Sequence, residues 1–379
     1  MTSIIYIGMD VHTTNFTLCC YTIEDDKEFA VVNVRPDYTE ILKYINRIRQ
    51  QRGKDIRFVC GYEAGCLGYS LYHQLTSHSV ECVILAPSTM PVTPGKKIKN
   101  DSRDAKKIAR CLAYHMYKPV YIPDEEDNAV KEYIRMRDDV KQHLKSTKQQ
   151  IIAFTTRLGF QFDGKSYWTK KHLNWLEKLE FTNSILHETL WEYLALYYQL
   201  EEKIAVFDKR IEAFSHMFRY EEQVAKLCCF PGIKVHTAMS LLVEVGDFNR
   251  FKDAPHFAAY LGLVPGQNSS GDKQIYTGIT KAGNTHLRRL LVEASQQYSR
   301  GIAGKKSKAL KERQEGNAPE AIAYADKAAE RLKRKFYRIA LRSKHNIAKT
   351  AVARELACFI WGMMTNNISS KASVELSFP

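Results

Sequence analysis

A chain of 379 residues, 45% apolar and 11% aromatic, can bury a substantial core and has the length of two domains with a connecting arm. It has no apolar run of about 18 residues and no basic-then-apolar leader, so a membrane partner and export drop out and an intracellular place is expected. Nine cysteines without a C-x-x-C pair argue against a zinc site or a disulfide framework, while a formal charge of +14 makes a polyanion, first of all nucleic acid, the expected partner.

In chain order, Ile4-Ile5-Tyr6-Ile7-Gly8-Met9-Asp10 is an apolar run ending in a carboxylate, and it reads as a strand buried on both faces. An Asp there is costly unless a cation meets it. Phe16–Thr22 and Glu28–Val34, joined through the turn Glu24–Lys27, predict a hairpin, and Tyr38–Gln51 shows helical spacing up to Gly53. Ile56–Glu63 is a fourth strand that again delivers an acid at its end. A helix over 65–77 and a strand Glu81–Leu85 follow. Three meandering strands, a helix, a strand, a helix and a strand make a mixed sheet with crossover helices. That order resembles the ribonuclease H-like fold, in which the first and fourth strands lie side by side and would bring Asp10 and Glu63 together.

The basic loop 94–100 carries Lys96, Lys97 and Lys99. It leads into a helix whose first turn holds Asp101, Arg103 and Asp104, the two acids three positions apart on one face. Either acid alone would serve as a cap or as a partner of the helix dipole, and Asp101 is a candidate cap. Together Asp10, Glu63, Asp101 and Asp104 are four oxygen donors from three elements. That set suffices to hold one or two Mg2+ ions, or Mn2+ in their place, at a phosphodiester. It resembles the acidic site of RuvC-like Holliday-junction resolvases.

From Asp124 to Tyr220 glycines are scarce, and Val130–Leu158 and Ile185–Met217 predict two long helices of a coiled-coil arm interrupted by the aromatic segment 159–175. Beyond it, Pro231-Gly232 between two helical segments reads as a helix-hairpin-helix whose turn, with Lys234, can meet a phosphate; an ordinary helical corner fits the same residues. Gly266–Lys273 holds Ser269-Ser270 and precedes a helix bearing Lys281, His286, Arg288 and Arg289. A hydroxyl beside such cations could attack a phosphodiester, although Ser-Ser-Gly by itself is more often a turn. Residues 301–350 hold 14 Lys or Arg against 5 Asp or Glu, a net of +9. Within them Arg331–Arg342 is a basic helix that could bind nucleic acid or cover the core through Leu332, Phe336, Ile339 and Ala340.

Six ordered blocks carry a resemblance over nearly the whole chain: Ile7–His12, Tyr62–Gly65, Asp101–Ala105, Pro231–Ile233 with Thr237-Ala238, Tyr260–Pro265 with Ser269–Gly271, and Thr280–Asn284. The chain resembles the DEDD-type transposases of bacterial insertion sequences, family one-ten, known as bridge-RNA-guided recombinases. The resemblance implies an RuvC-like DEDD domain over 1–123, a helical arm over 124–222 and a mostly helical C-terminal transposase domain over 223–379. It implies Asp10, Glu63, Asp101 and Asp104 as the metal-binding acids. It also implies a C-terminal serine that forms a 5′-phosphoserine link to DNA, placed on Ser270 by the Gly-Leu-x-Pro to Ser-Gly spacing with Ser269 as the neighbour. Donor and target DNA, a structural guide RNA and a homo-oligomer, a dimer and then a tetramer on DNA, are the implied partners in a nucleoid-associated bacterial protein. The acids of one subunit are expected to meet the serine of another. The segment 305–332 stands apart from the family's compact core. The alternative is a metal-dependent nuclease or junction resolvase that uses the acids with water alone.

Overall fold

The computed structural model describes residues 3–53, 55–91, 100–267, 276–302 and 304–368. It divides into two compact units, Met1–Ile122 and Pro123–Pro379.

In the first unit, β1 (Ser3–Val11), β2 (Phe16–Thr22) and β3 (Lys27–Val34) form the meander, followed by α1 (Tyr38–Arg52), β4 (Ile56–Glu63), α2 (Ser70–Ser77), β5 (Glu81–Leu85) and α3 (Asp101–Ala113). The strand order is β3-β2-β1-β4-β5. β1 is antiparallel to β2 and parallel to β4, so the sheet is mixed. The side-chain period of two sorts the residues onto faces. Ile5, Ile7 and Met9 of β1, with Phe58, Cys60 and Tyr62 of β4, pack under Ile41, Ile45 and Ile48 of α1 and Leu71 and Leu75 of α2. The alternate residues, Tyr6 of β1 and Val59 of β4, pack against Ile108, Ala109 and Leu112 of α3. Continuing that alternation puts Gly8 and Asp10, and Gly61 and Glu63, on the side covered by α3. α2 begins five residues after Gly65, because two glycines in the segment 65–69 raise the cost of helix there.

The second unit opens with α4 (Glu125–Arg157), α5 (Lys170–Glu177) and α6 (Ser184–Ser215). The pairs Arg137–Asp208 and Lys148–Glu201 and the ring contact Phe154–Tyr193 run in opposite directions along the two long helices, which are therefore antiparallel. Their distal core holds Leu144, Ile151, Leu190 and Leu194. Near its start, Val130 and Ile134 of α4 belong to a larger core with the helices that follow. These are α7 (Glu221–Cys228), α8 (Val235–Val245) and α9 (Ala254–Tyr260), then a short hairpin β6 (Pro265–Gln267) and β7 (Tyr276–Ile279). α10 (Thr285–Ser295), α11 (Lys308–Gln314), α12 (Pro319–Ala340) and α13 (His345–Met364) complete the chain. Leu332 and Phe336 of α12 are fully buried, so the basic helix does cover the core with its apolar stripe. Among the described residues no helix is long and apolar enough to cross a membrane.

Candidate metal centre

The acids converge because α3 lies directly on the β1 backbone. A Cβ at Gly8 would stand 2.1 Å from the Ala105 carbonyl oxygen and 2.3 Å from the Ala109 nitrogen, so only glycine permits this approach. Asp10 is the next residue of β1 on that face, and Asp101 and Asp104 occupy the first turn of α3. Asn100, not Asp101, caps α3 by accepting from the Ser102 backbone, which leaves the Asp101 carboxylate free of the capping role.

One oxygen each of Asp10 and Asp101 and one ring nitrogen of His12 lie within 4.8 Å of one another. His12 Nε2 stands 3.4 Å from Asp10 Oδ2. That oxygen is buried and, among the described residues, has no partner in hydrogen-bonding geometry. The turn after β1 is closed by the His12 backbone donating to Asn15 O at 2.9 Å. It points Asn15 Nδ2 at Asp101 Oδ2, 3.5 Å away, and at Asn33 Oδ1, 3.3 Å away. Burial pushes the Asp10 carboxyl up from its ordinary value. His12 opposes that push, and the negative charges of Asp104 and Asp101 add to it.

Asp104 therefore acts on Asp10 electrostatically, although it stands outside the three-residue group. Glu63 also stands outside it. Parallel pairing of Met9 with Tyr62 makes Asp10 and Glu63 the next residues of their neighbouring strands, so Glu63 shares the sheet end. The set fits a hard divalent cation. It offers carboxylate oxygens from Asp10 and Asp101, one of them a buried Asp10 oxygen that His12 approaches at 3.4 Å without hydrogen-bonding geometry. His12 and Asn15 are the members that acid-spotting overlooks. The signal for His12 is its place in the run Ile7–His12, one residue beyond the end of β1.

Several expected residues fall outside the described ones: Ser269 and Ser270, between β6 and β7, and Lys96, Lys97 and Lys99. Arg103 and Lys234 are exposed, and Lys281, expected on the helix, instead lies in the loop before α10, exposed and with φ +57°. The other candidate cations, His286, Arg288 and Arg289 of α10, have internal partners. Arg288 Nη1 donates to the carbonyls of Leu261 at 2.9 Å and Ala282 at 3.0 Å, fastening the base of the β6–β7 hairpin. Arg289 pairs with Asp138, whose other oxygen meets His236 Nε2 at 3.0 Å and Arg137 at 3.0 Å, and His286 Nδ1 lies 3.6 Å from the same carboxylate.

Two families match the chain: one described as a DEDD transposase over residues 7–158, and one described as the transposase IS116/IS110/IS902 family over residues 224–312. A transposase for insertion sequence element IS1533 of Leptospira borgpetersenii is 32% identical over 335 residues, covering 88% of this chain and 95% of the relative. A putative transposase, y4qE, of Sinorhizobium fredii is 34% identical over 303 residues, covering 80% and 74%. A transposase for insertion sequence element IS1111A of Coxiella burnetii is 26% identical over 218 residues, covering 56% and 58%. Similarity at this level over almost the full length of the first relative, on a chain whose first unit clusters acids at a sheet end, places the protein in the IS110/IS116 family of DEDD transposases.

Proposed function

We propose that this transposase cleaves and rejoins DNA with Ser270 as its nucleophile and with a divalent cation, Mg2+ or Mn2+, held by Asp10, Asp101, Asp104 and Glu63, in a reaction directed by a structural guide RNA. The observation that supports the metal half is the buried Asp10 Oδ2, outside hydrogen-bonding geometry with His12, beside a second carboxylate. The strand order and the acids at the ends of β1 and β4 support a ribonuclease H-like, RuvC-like reading of residues 1–123. The antiparallel α4 and α6 support a helical arm over 124–222, with 223–379 as the serine-bearing domain.

A bound divalent cation neutralises charge that develops on a phosphodiester oxygen. The chain's own part is the following exchange. Ser270 Oγ forms a bond to the scissile phosphorus, the bond to the 3′ oxygen breaks, and that oxygen leaves as a hydroxyl with the proton the serine gives up. One phosphoester replaces another, so attack by a new 3′-hydroxyl on the phosphoserine reverses the bond change and joins strands. His12 and Asn15 hold Asp10 and Asp101 in place. Guidance by RNA rests on the family resemblance and on the +14 charge, which suits phosphate backbones.

The test is a denaturing gel of full-length protein with DNA carrying the element's ends and its co-expressed RNA. Wild type is expected to give a covalent protein–DNA adduct that Ser270→Ala abolishes while DNA binding persists. Strand cleavage that continues in Ser270→Ala without an adduct would instead establish the water-dependent nuclease.

A further inference from the structure

The basic surface of the second unit is not uniform, and its most concentrated part ends in an apolar tip. From Arg331 to Arg354 there are nine Lys or Arg and no Asp or Glu. Most of the cations along α12 are already engaged. Arg331 and Lys335 both meet Glu355 of α13, Arg334 meets Glu330, and Lys333 Nζ donates to the Ile302 carbonyl at 3.1 Å. Arg338, Arg342 and Lys344, at the corner where α12 turns into α13, have no hydrogen-bond or ion-pair partner for their side chains among the described residues. Between them stands Leu341, 87% exposed, the most exposed aliphatic side chain among the described residues, with Ile347 at 55% and Tyr337 at 47% beside it.

The corner is firmly built. Leu341 is the C-cap of α12 in helical conformation, with its N–H turned back to Tyr337 O, and the Ile347 backbone donates to Lys344 O at 2.9 Å at the start of α13. Below it Leu332, Phe336, Val352 and Leu356 lock the two helices together in the main core. A helix end is thus holding a leucine out in water, where its burial against a partner is favourable. Its neighbours choose the occupant. An apolar protein partner would have to bury unpaired cations with no acid supplied by this corner, whereas a polyanion pairs them directly. Among polyanions, duplex DNA has a use for the leucine. An aliphatic side chain flanked by arginines is the device that enters a minor groove, partly unstacks a base step and kinks the duplex.

We propose that the α12–α13 corner is a DNA-deforming wedge, with Arg338, Arg342 and Lys344 gripping phosphates on a duplex and Leu341 pressing between two base pairs. The proposal rests on the transposase reading and extends it. Opening a base step prepares a duplex for strand exchange, a task neither the acids nor the serine performs.

The experiment uses full-length protein and a short mixed-sequence duplex, with thymine reactivity to permanganate as the measure of unstacking. Arg338→Ala/Arg342→Ala/Lys344→Ala is expected to weaken duplex binding about tenfold or more and to lower the slope of log affinity against log salt by about 3. Leu341→Ala is expected to change affinity less than about threefold but to remove the protein-induced permanganate reactivity; Leu341→Phe restores it. Duplex affinity unchanged in the triple variant, or permanganate reactivity unchanged in Leu341→Ala, overturns the wedge. So does a loss of self-association in Leu341→Ala, which would make a second copy the occupant, or a selective loss of RNA binding in the triple variant. The adduct assay on a duplex with a pre-opened bubble keeps the two readings apart. If wild type yields no adduct there, the serine mechanism fails while the wedge measurements stand. If Leu341→Ala yields the adduct on the bubble but not on the closed duplex, the serine mechanism holds and the wedge is doing the opening.

Discussion

Asp10 of the sheet unit and Asp138 and Glu244 of the helical unit are all largely buried carboxylates, and they are treated in opposite ways. Asp138, with 7% of its side chain exposed, has Arg137, Arg289 and His236 in contact. Glu244, 5% exposed, receives Arg135 at 2.7 and 3.1 Å and Asn284 at 2.8 Å. Burial pushes both carboxyls up, yet both end below the ordinary carboxylate range. For Asp138, His236 and Arg137 outweigh burial; for Glu244, Arg135 does. Asp10, 16% exposed, has one histidine and two further acids, and burial with its like-charged neighbours leaves it raised. The difference separates jobs. An acid matched by cations holds helices together, and an acid left unmatched among other acids is kept for a charge that arrives from outside.

The comparison breaks most visibly at Asp138. Asp138→Ala removes one of the two carboxylates that meet the buried Arg137 and leaves the largely buried His236 without one, and is expected to cost about 3 kcal/mol in a urea unfolding curve. The same carboxyl fixes a pH dependence. Its folded pKa lies below its unfolded one, so its stabilisation is complete above the unfolded value, about 3.9, and is lost as pH falls from there toward the folded value. The unfolding midpoint of wild type should therefore fall in that acid window more steeply than that of Asp138→Ala.

A smaller loss is expected from Gly8→Ala, which drives a methyl into the α3 backbone and should cost about 1–3 kcal/mol. Its sharper consequence is at the site: displacement of α3 separates Asp101 from Asp10. The thermal shift that Mn2+ gives wild type should shrink or vanish even where the variant is folded by circular dichroism. A Gly8→Ala protein with an undiminished Mn2+ shift would show that the strand–helix gap does not set the acid spacing.

The smallest effect has the opposite sign. Asp10→Asn removes a repelled carboxylate and is expected to raise the metal-free melting temperature by about 1–3 °C, on the order of 0.5–1 kcal/mol, while abolishing the Mn2+ shift and DNA cleavage. Lowering the pH should act in the same direction at this group. Its folded pKa is above its unfolded one, so the ionised form opposes folding at neutral pH and that opposition disappears below the unfolded value. A melting temperature for Asp10→Asn well below wild type would place Asp10 with the structural acids.

Much of the sheet unit was legible because its signals are local. Ile4–Asp10 and Ile56–Glu63 are short apolar runs that end in acids, and the first turn of α3 follows a break in pattern, so each element announces itself within about ten residues. The turn that brings His12 and Asn15 to the acids was harder to read, since it depends on a backbone closure with no distinctive residue pattern. Apart from the adjacent pair Arg137–Asp138, the polar network of the helical unit leaves no local trace. Arg135 meets Glu244 across 109 positions and Arg289 meets Asp138 across 151, so their sequence displays charge and conceals the partner. His286, Arg288 and Arg289 read as a phosphate-facing group for that reason, whereas in the fold each has an internal neighbour.

The contact at Gly8 has one more consequence. Elsewhere a helix rests on a sheet through side chains, and exchanging one of them for a larger or smaller one moves the two layers apart or together. Here main chain touches main chain, and there is no shim to exchange. Drift in Ile5, Ile7 or Ile108 can remodel the surrounding packing while the gap between the Asp10 strand and the Asp101 helix stays at its minimum. The aperture offered to an ion is in that respect a constant of the backbone, adjustable only by giving up the glycine.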